Sequence, residues 1–184
     1  KSIIFSSDSL DYYKSLENKT GVFFHQRSTK SSGDNAKDFD VIYEIFNQKL
    51  IDEKDIILWI RPTSPIRDHR ECIAALEYFN QQNDFLSLRS VQEVSDHPFW
   101  MKFIKDDGSL IPIIKDKNES LYPNSQSLPK CFFPTCEFEI SITKNVLLQK
   151  RLICYPSTYY ITKKRSIDID TFEDFQFAKF LLEN

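Results

Sequence analysis

Glycine is scarce in this chain. Gly21, Gly33 and Gly108 are the three it has in 184 residues, too few and too scattered for a glycine-rich loop that cradles phosphates in its backbone N–H groups. The four cysteines, Cys72, Cys131, Cys136 and Cys154, make no Cys-x-x-Cys pair. His25 and His69 stand alone, with no Cys or His at metal-ligand spacing, so the sequence offers neither a zinc site nor a disulfide framework. A reducing cytoplasm fits that usage. No apolar run approaches the ~18 residues of a membrane span, and no charged-then-apolar leader opens the chain. An excess of one charge is also missing: 24 basic residues are interspersed among 27 acidic ones, for a net charge of −3. Without a basic stripe, nucleic acid is not an expected partner, and neither is a membrane.

Apolar and aromatic side chains are plentiful. Hydrophobic residues make up 41% and aromatic residues 14%, with 16 Phe, which is enough to fill a core and excludes a disordered chain. The length suits a single domain over 1–184. Apolar runs at Ser2 to Ser6, Val22 to Phe24, Ile56 to Ile60 and Phe85 to Val91 read as strands. Helical spacing separates them at Leu10 to Glu17, from Val41 to Phe46 and at His69 to Phe79. Strand alternating with helix predicts an α/β fold with a mostly parallel sheet covered on both faces. Gln26 to Asn35 reads as a loop.

After His97 the texture changes. Trp100 to Ile104 and Leu110 to Ile114 flank Asp106, Asp107 and Gly108, the pattern of a hairpin. Lys115 to Lys130 has no clear period and contains two prolines, so it leaves the sheet. Its apolar Leu121, Tyr122 and Leu128 are costly to expose together, which predicts packing on a second copy of the chain. Glu137 to Ile140, Tyr159 to Ile161 and Ile167 to Asp168 return as strands, and Thr171 to Leu182 closes the chain as a helix.

The most informative stretch is Arg165 to Asp174, RSIDIDTFED. Ile167 and Ile169 alternate with Asp168 and Asp170, so at period two the isoleucines face a core and both carboxylates face the other way. Thr171 and Asp174 make a capping-box pattern, which starts a helix where the strand ends. Two carboxylates at a strand's carboxyl end are hard oxygen ligands where α/β sheets bind ligands, and they suit a Mg²⁺ that also holds phosphates. An isolated Asp-x-Asp also arises when one Asp ends a strand and the other solvates a turn.

Taken in order, SSD at Ser6 to Asp8, Arg27 with Asp34 seven residues on, PTSPIR at Pro62 to Arg67, LPK at Leu128 to Lys130 and SIDIDT at Ser166 to Thr171 resemble the acylneuraminate cytidylyltransferase family. The resemblance covers essentially the whole sequence. It implies a Rossmann-like nucleotidyltransferase fold, with 97–136 as hairpin and dimer arm of a homodimer. The implied reaction is attack of an acidic sugar's hydroxyl on the α-phosphate of CTP, assisted by Mg²⁺. Asp168 and Asp170 would be catalytic and hold the metal. Arg27, Asp8 and Asp34 would bind the nucleotide, and Arg61, Thr63, Ser64, Arg67 and Gln126 the sugar.

The chain departs from the family pattern in several places. Arg61 stands for the usual Gln before PTSP, Asn124 and Ser125 for paired arginines, Thr135-Cys136 for Asn-Gly, and Asp38 for a small hydroxyl residue. The family's opening strand and glycine-rich, lysine-bearing loop have no counterpart in these residues. Little CTP-dependent turnover is therefore expected from them without that unit. The alternative is a noncatalytic homologue serving assembly or ligand binding.

Overall fold

The structure is a computed structural model that describes residues 2–16, 21–114, 127–163 and 166–183. Strand β1 (Ile3–Ser7) leads through helix α1 (Leu10–Lys14) to β2 (Val22–Gln26), and the two strands pair in parallel from Ile3↔Val22 to Ser7↔Gln26. Two short helices follow: α2 (Thr29–Ser32), then the amphipathic α3 (Asp38–Asn47), whose Val41, Ile42 and Ile45 are buried. Asp38 and Asp40 in the first turn of α3 match the positive end of its dipole. Next come β3 (Ile56–Trp59), α4 (His69–Asn80), β4 (Ser87–Glu93), a 3₁₀ turn at Pro98–Trp100, the hairpin strands β5 (Lys102–Ile104) and β6 (Leu110–Pro112), and the long β7 (Phe132–Ile142). Helix α5 (Thr143–Gln149), β8 (Ser157–Ile161) and α6 (Phe172–Glu183) complete the order. The four-stranded sheet runs β3-β7-β4-β8. Its β3–β7 pair is antiparallel, so the sheet is not uniformly parallel.

The chain divides into two compact units, each gathered from three stretches: Lys1–Trp59, Ala74–Leu88 and Glu139–Thr158 in the first, Ile60–Ile73, Arg89–Phe138 and Tyr159–Asn184 in the second. In the first, Ile42, Val146, Leu152 and Cys154 form a dry cluster flanked by Trp59 and Leu86. In the second, Ile66, Ile167 and Ala178 pack together with Ile169 against them. Each fully buried Ile, Leu or Val among them contributes ~1.5–3 kcal/mol by leaving water.

The hairpin forms where expected, between β5 and β6. Gly108 takes the positive φ (80°) that its turn requires, and its N–H bonds Lys105 O at 2.8 Å. Other expectations need correction. The stretch 26–35 is not all loop, because α2 makes one turn there, closed by Ser31 N donating to Ser28 O at 3.1 Å. Trp100 belongs to the 3₁₀ turn, since His97 Nδ1 accepts from Phe99 N and starts it. Helix α5 has no glycine stop signal, and its C-cap Lys150 adopts the left-handed conformation itself. No strand forms at Ile167–Asp168: the nearby amides of Ser166 and Ile169 bond the Gln92 side chain and Thr63 O, not a neighbouring strand. The expected arm at 115–130 lies outside the described residues as far as position 126, which includes Gln126, Leu121, Tyr122, Asn124 and Ser125.

Candidate active site

In the second unit, Pro62 and Pro65 bracket a tight turn closed by Ser64 N donating to Arg61 O at 3.3 Å. Arg67 holds that turn from beneath. Its Nη2 donates to Arg61 O and to Ser64 O, both at 2.6 Å, and its Nε donates to Glu137 O at 3.1 Å. Three guanidinium N–H groups are thus spent on backbone carbonyls, so Arg67 fixes the loop to β7.

The SIDID segment lies against the same turn. Ile169 N donates to Thr63 O at 2.8 Å, and the Ser64 hydroxyl, 0% exposed, donates to Asp168 Oδ1 at 3.4 Å across 104 residues of sequence. Ser166 anchors the segment's start through its hydroxyl on Thr135 O at 3.0 Å. Ile167 and Ile169 turn inward onto Ile66 and Ala178, whereas Asp168 and Asp170 are exposed. The alternation read from sequence therefore holds although the segment is not a strand. Thr171 and Asp174 form the capping box of α6: Thr171 N donates to Asp174 Oδ2 at 2.8 Å, and Asp174 N to Thr171 Oγ1 at 3.2 Å. The Thr171 hydroxyl holds the Asp174 carboxyl below its usual range. That occupies Asp174 and leaves Asp168 and Asp170 as the acids on offer.

Among the described residues neither Asp168 nor Asp170 is in an ion pair, and no group of three or more His, Cys, Asp or Glu gathers around a metal position. Two exposed carboxylates fit a hard cation that keeps waters and substrate oxygens as its remaining ligands, which is how Mg²⁺ binds phosphates. Thr63 is exposed beside them and Arg61 half-buried.

Beneath the turn lies an acidic pair that sequence reasoning missed. Glu137, 1% exposed, and Glu71 are both buried. Glu71 Oε1 accepts from Lys163 N at 3.1 Å. Burial above all raises Glu137, and Glu71 adds to the rise against Thr162 and Arg67. His97 is also structural: its Nε2 lies 2.9 Å from Pro129 O and its ring meets Phe99 edge-on.

The first unit carries the other predicted residues. Asp8 and Asp34 are exposed. Arg27 is half-buried, with its N–H on Ser7 O at 2.9 Å and its Nε on Ser6 Oγ at 2.9 Å. His25, expected to stand alone, is fully buried with Nδ1 2.9 Å from Ser6 Oγ. The signal was the parallel register, which sets Ser6 opposite His25.

No family model matches the chain. N-acylneuraminate cytidylyltransferases of Streptococcus agalactiae serotypes V and III are each 26% identical to it over 177 residues, 95% of this chain. The chain is thus similar to the N-acylneuraminate cytidylyltransferases over nearly all of its length. It spans about two fifths (41%) of the length of these curated relatives. The post-translational flagellin modification protein B of Campylobacter coli is 24% identical over 189 residues, covering 100% of this chain and 77% of that protein. Among solved structures, the 4-diphosphocytidyl-2C-methyl-D-erythritol synthase of Anaerococcus prevotii matches with a TM-score of 0.62 at 16% identity, over 100% of this chain and 82% of that one. A CMP:2-keto-3-deoxy-manno-octonic acid synthetase complexed with CTP matches with a TM-score of 0.61 at 11% identity, over 100% and 81%. The fold is the Rossmann-like α/β fold of nucleotidyltransferases, as the resemblance implied. One departure from the cytidylyltransferase pattern now has a geometry. At the Thr135-Cys136 position, where the resemblance puts Asn-Gly, Cys136 sits at φ 57°, in the left-handed region that glycine enters freely. The glycine conformation has been kept without the glycine. Among the described residues no helix is long and apolar enough to cross a membrane.

Proposed function

We propose that this chain carries the site of a cytoplasmic, homodimeric cytidylyltransferase that moves CMP from CTP to a hydroxyl of an acidic nine-carbon sugar and releases pyrophosphate. One observation carries the reading: the PTSP turn and the SIDID segment, distant in sequence, are bonded to each other with both carboxylates turned outward. Asp168 and Asp170 hold Mg²⁺, which supplies charge neutralisation for the phosphates. Ser64 orients Asp168 through its hydroxyl. Arg67 keeps the turn in shape, and Thr63 and Arg61 face the sugar. In the first unit, Arg27 takes a nucleotide phosphate, with Asp8 and Asp34 beside the nucleotide. The 26% identity to N-acylneuraminate cytidylyltransferases supports cytidine as the base.

The test pairs binding with turnover. Mn²⁺–CTP is titrated into wild type, Asp168→Asn and Asp170→Asn, and pyrophosphate release is followed with CTP, Mg²⁺ and a panel of acidic nine-carbon sugars. Wild type binds Mn²⁺–CTP; in a version extended upstream by the glycine-rich, lysine-bearing unit, where turnover is expected, Asp170→Asn loses ~10³-fold in transfer, the equivalent of ~4 kcal/mol of metal stabilisation. Its folding stability stays within ~0.5 kcal/mol, because the residue is exposed. Equal metal binding in all three proteins would sink the assignment. Tight CTP binding without release in any sugar, even from the extended version, would favour a ligand-binding homologue.

A further inference from the structure

His25 is buried in the first unit with an arginine two residues along and a carboxylate facing its far side. Its Nδ1 lies 2.9 Å from Ser6 Oγ, and that same oxygen accepts the Arg27 Nε–H at 2.9 Å. Its Nε2 lies 3.7 Å from Glu44 Oε2 and is otherwise without a partner. Glu44 is held from the other direction by the Ser31 hydroxyl and by Ser28 N at 3.2 Å.

The directions of these bonds follow from what each group can give. A guanidinium only donates, so Ser6 Oγ accepts from Arg27. The Ser6 hydroxyl keeps its own hydrogen, which can point at a bare His25 Nδ1. The Glu44 carboxylate 3.7 Å from Nε2 selects the tautomer with the imidazole hydrogen there. The opposite tautomer would aim a lone pair at an anion. Every donor therefore points one way, from Arg27 through Ser6 and His25 to Glu44. Burial lowers His25 despite Glu44, and Arg27 lowers it further, so the neutral imidazole this chain requires is the one present near neutral pH.

We propose that Ser6, His25 and Glu44 form a positioning relay that aims the Arg27 guanidinium at a phosphate group of a nucleotide. The inference rests on the transferase reading for the identity of the anion. With Nε held by Ser6 and the backbone N–H by Ser7 O, the two Nη groups of Arg27 form a fork of fixed plane. Among the described residues no carboxylate pairs with that fork. A planar fork with a fixed edge suits two oxygens of one phosphate, and fixing it beforehand removes the ordering cost from binding.

The experiment has two arms. In the first, ¹⁵N-labelled histidine and arginine are observed by NMR. His25 shows a bare Nδ1 and a protonated Nε2, and the Arg27 Nε–H exchanges slowly in wild type and fast in Ser6→Ala. A proton on Nδ1, or Arg27 exchange indifferent to Ser6, overturns the relay. In the second arm, CTP affinity is measured in a double-mutant cycle. His25→Phe weakens CTP about tenfold when Arg27 is present and less than about twofold in an Arg27→Ala background, a loss of the size seen when supporting groups behind a binding residue are removed. His25→Asn, which keeps an acceptor at the Nδ1 position, restores most of the affinity. Additive losses would make His25 a packing residue and refute the proposal. A wild type that binds no CTP refutes the transferase reading and the nucleotide at Arg27, while the NMR arm still decides the relay.

Discussion

Replacing Arg67 by alanine removes three donors at once. Arg61 O and Ser64 O each lose a 2.6 Å bond and Glu137 O a 3.1 Å bond, all in a partly buried place. Hydrogen bonds to a charged group are worth ~1.5–3 kcal/mol each, and a buried carbonyl left bare costs ~1–3. The three bonds share one side chain, and water replaces part of what is lost. The expected destabilisation is therefore about 3–5 kcal/mol, the range for breaking a buried charged network. In urea the midpoint falls by roughly 1–2.5 M at an m-value of ~2–3 kcal/mol/M. Arg67→Lys recovers under half of this, because an ammonium cannot fork across two carbonyls. A sugar-binding Arg67 predicts the reverse: alanine would leave the urea midpoint unchanged and raise only the KM for the sugar. A midpoint shift worth less than ~1 kcal/mol would refute the clamp.

Cys136→Gly relieves a left-handed backbone that costs a non-glycine residue ~1–2 kcal/mol, less the ~0.5–1 kcal/mol entropic penalty of glycine. Because Cys136→Ala keeps the strain, thermal unfolding should place the glycine variant above the alanine variant by about 1 kcal/mol, and equal stabilities would show that φ 57° costs nothing. Burial raises Glu137, with Glu71 adding to it, so the folded state holds that proton longer than the unfolded chain does. Its contribution is complete below the unfolded carboxyl value of ~4.3 and is lost as pH rises through the higher folded value. Wild type should accordingly lose stability relative to Glu137→Gln as pH climbs from ~4 toward neutrality; parallel curves for the two proteins would contradict this.

Local patterns were legible where chemistry between neighbours decides the outcome. The alternation of Ile167 and Ile169 with Asp168 and Asp170 predicted which side chains are buried, and the Thr171–Asp174 pair predicted the start of α6. The strand at 167–168 failed because alternation reports faces and says nothing about whether a neighbouring strand receives the amides; here Thr63 O does. Arg67 read as a ligand-facing arginine, since no sequence signal tells a guanidinium aimed at solvent from one folded back on its own loop. His25 needed the β1–β2 register, a pairing between segments that local spacing does not encode. Helix α5 escaped because its C-cap is Lys150, not a glycine.

The bond between Ser64 and Asp168 also has a meaning for synthesis on the ribosome. The buried cluster of the first unit, Ile42, Val146, Leu152 and Cys154, is complete once residue 154 has emerged, whereas the second unit's cluster waits for Ile167 and Ala178. A nascent chain can thus bury one core while its PTSP turn still lacks the segment that stitches it down. Pairings of such long sequence separation are the slow ones in folding. The carboxylate site is then among the last parts to be made. A chain cut just before Ser166 would keep the residues of the first cluster and have no carboxylate pair at all.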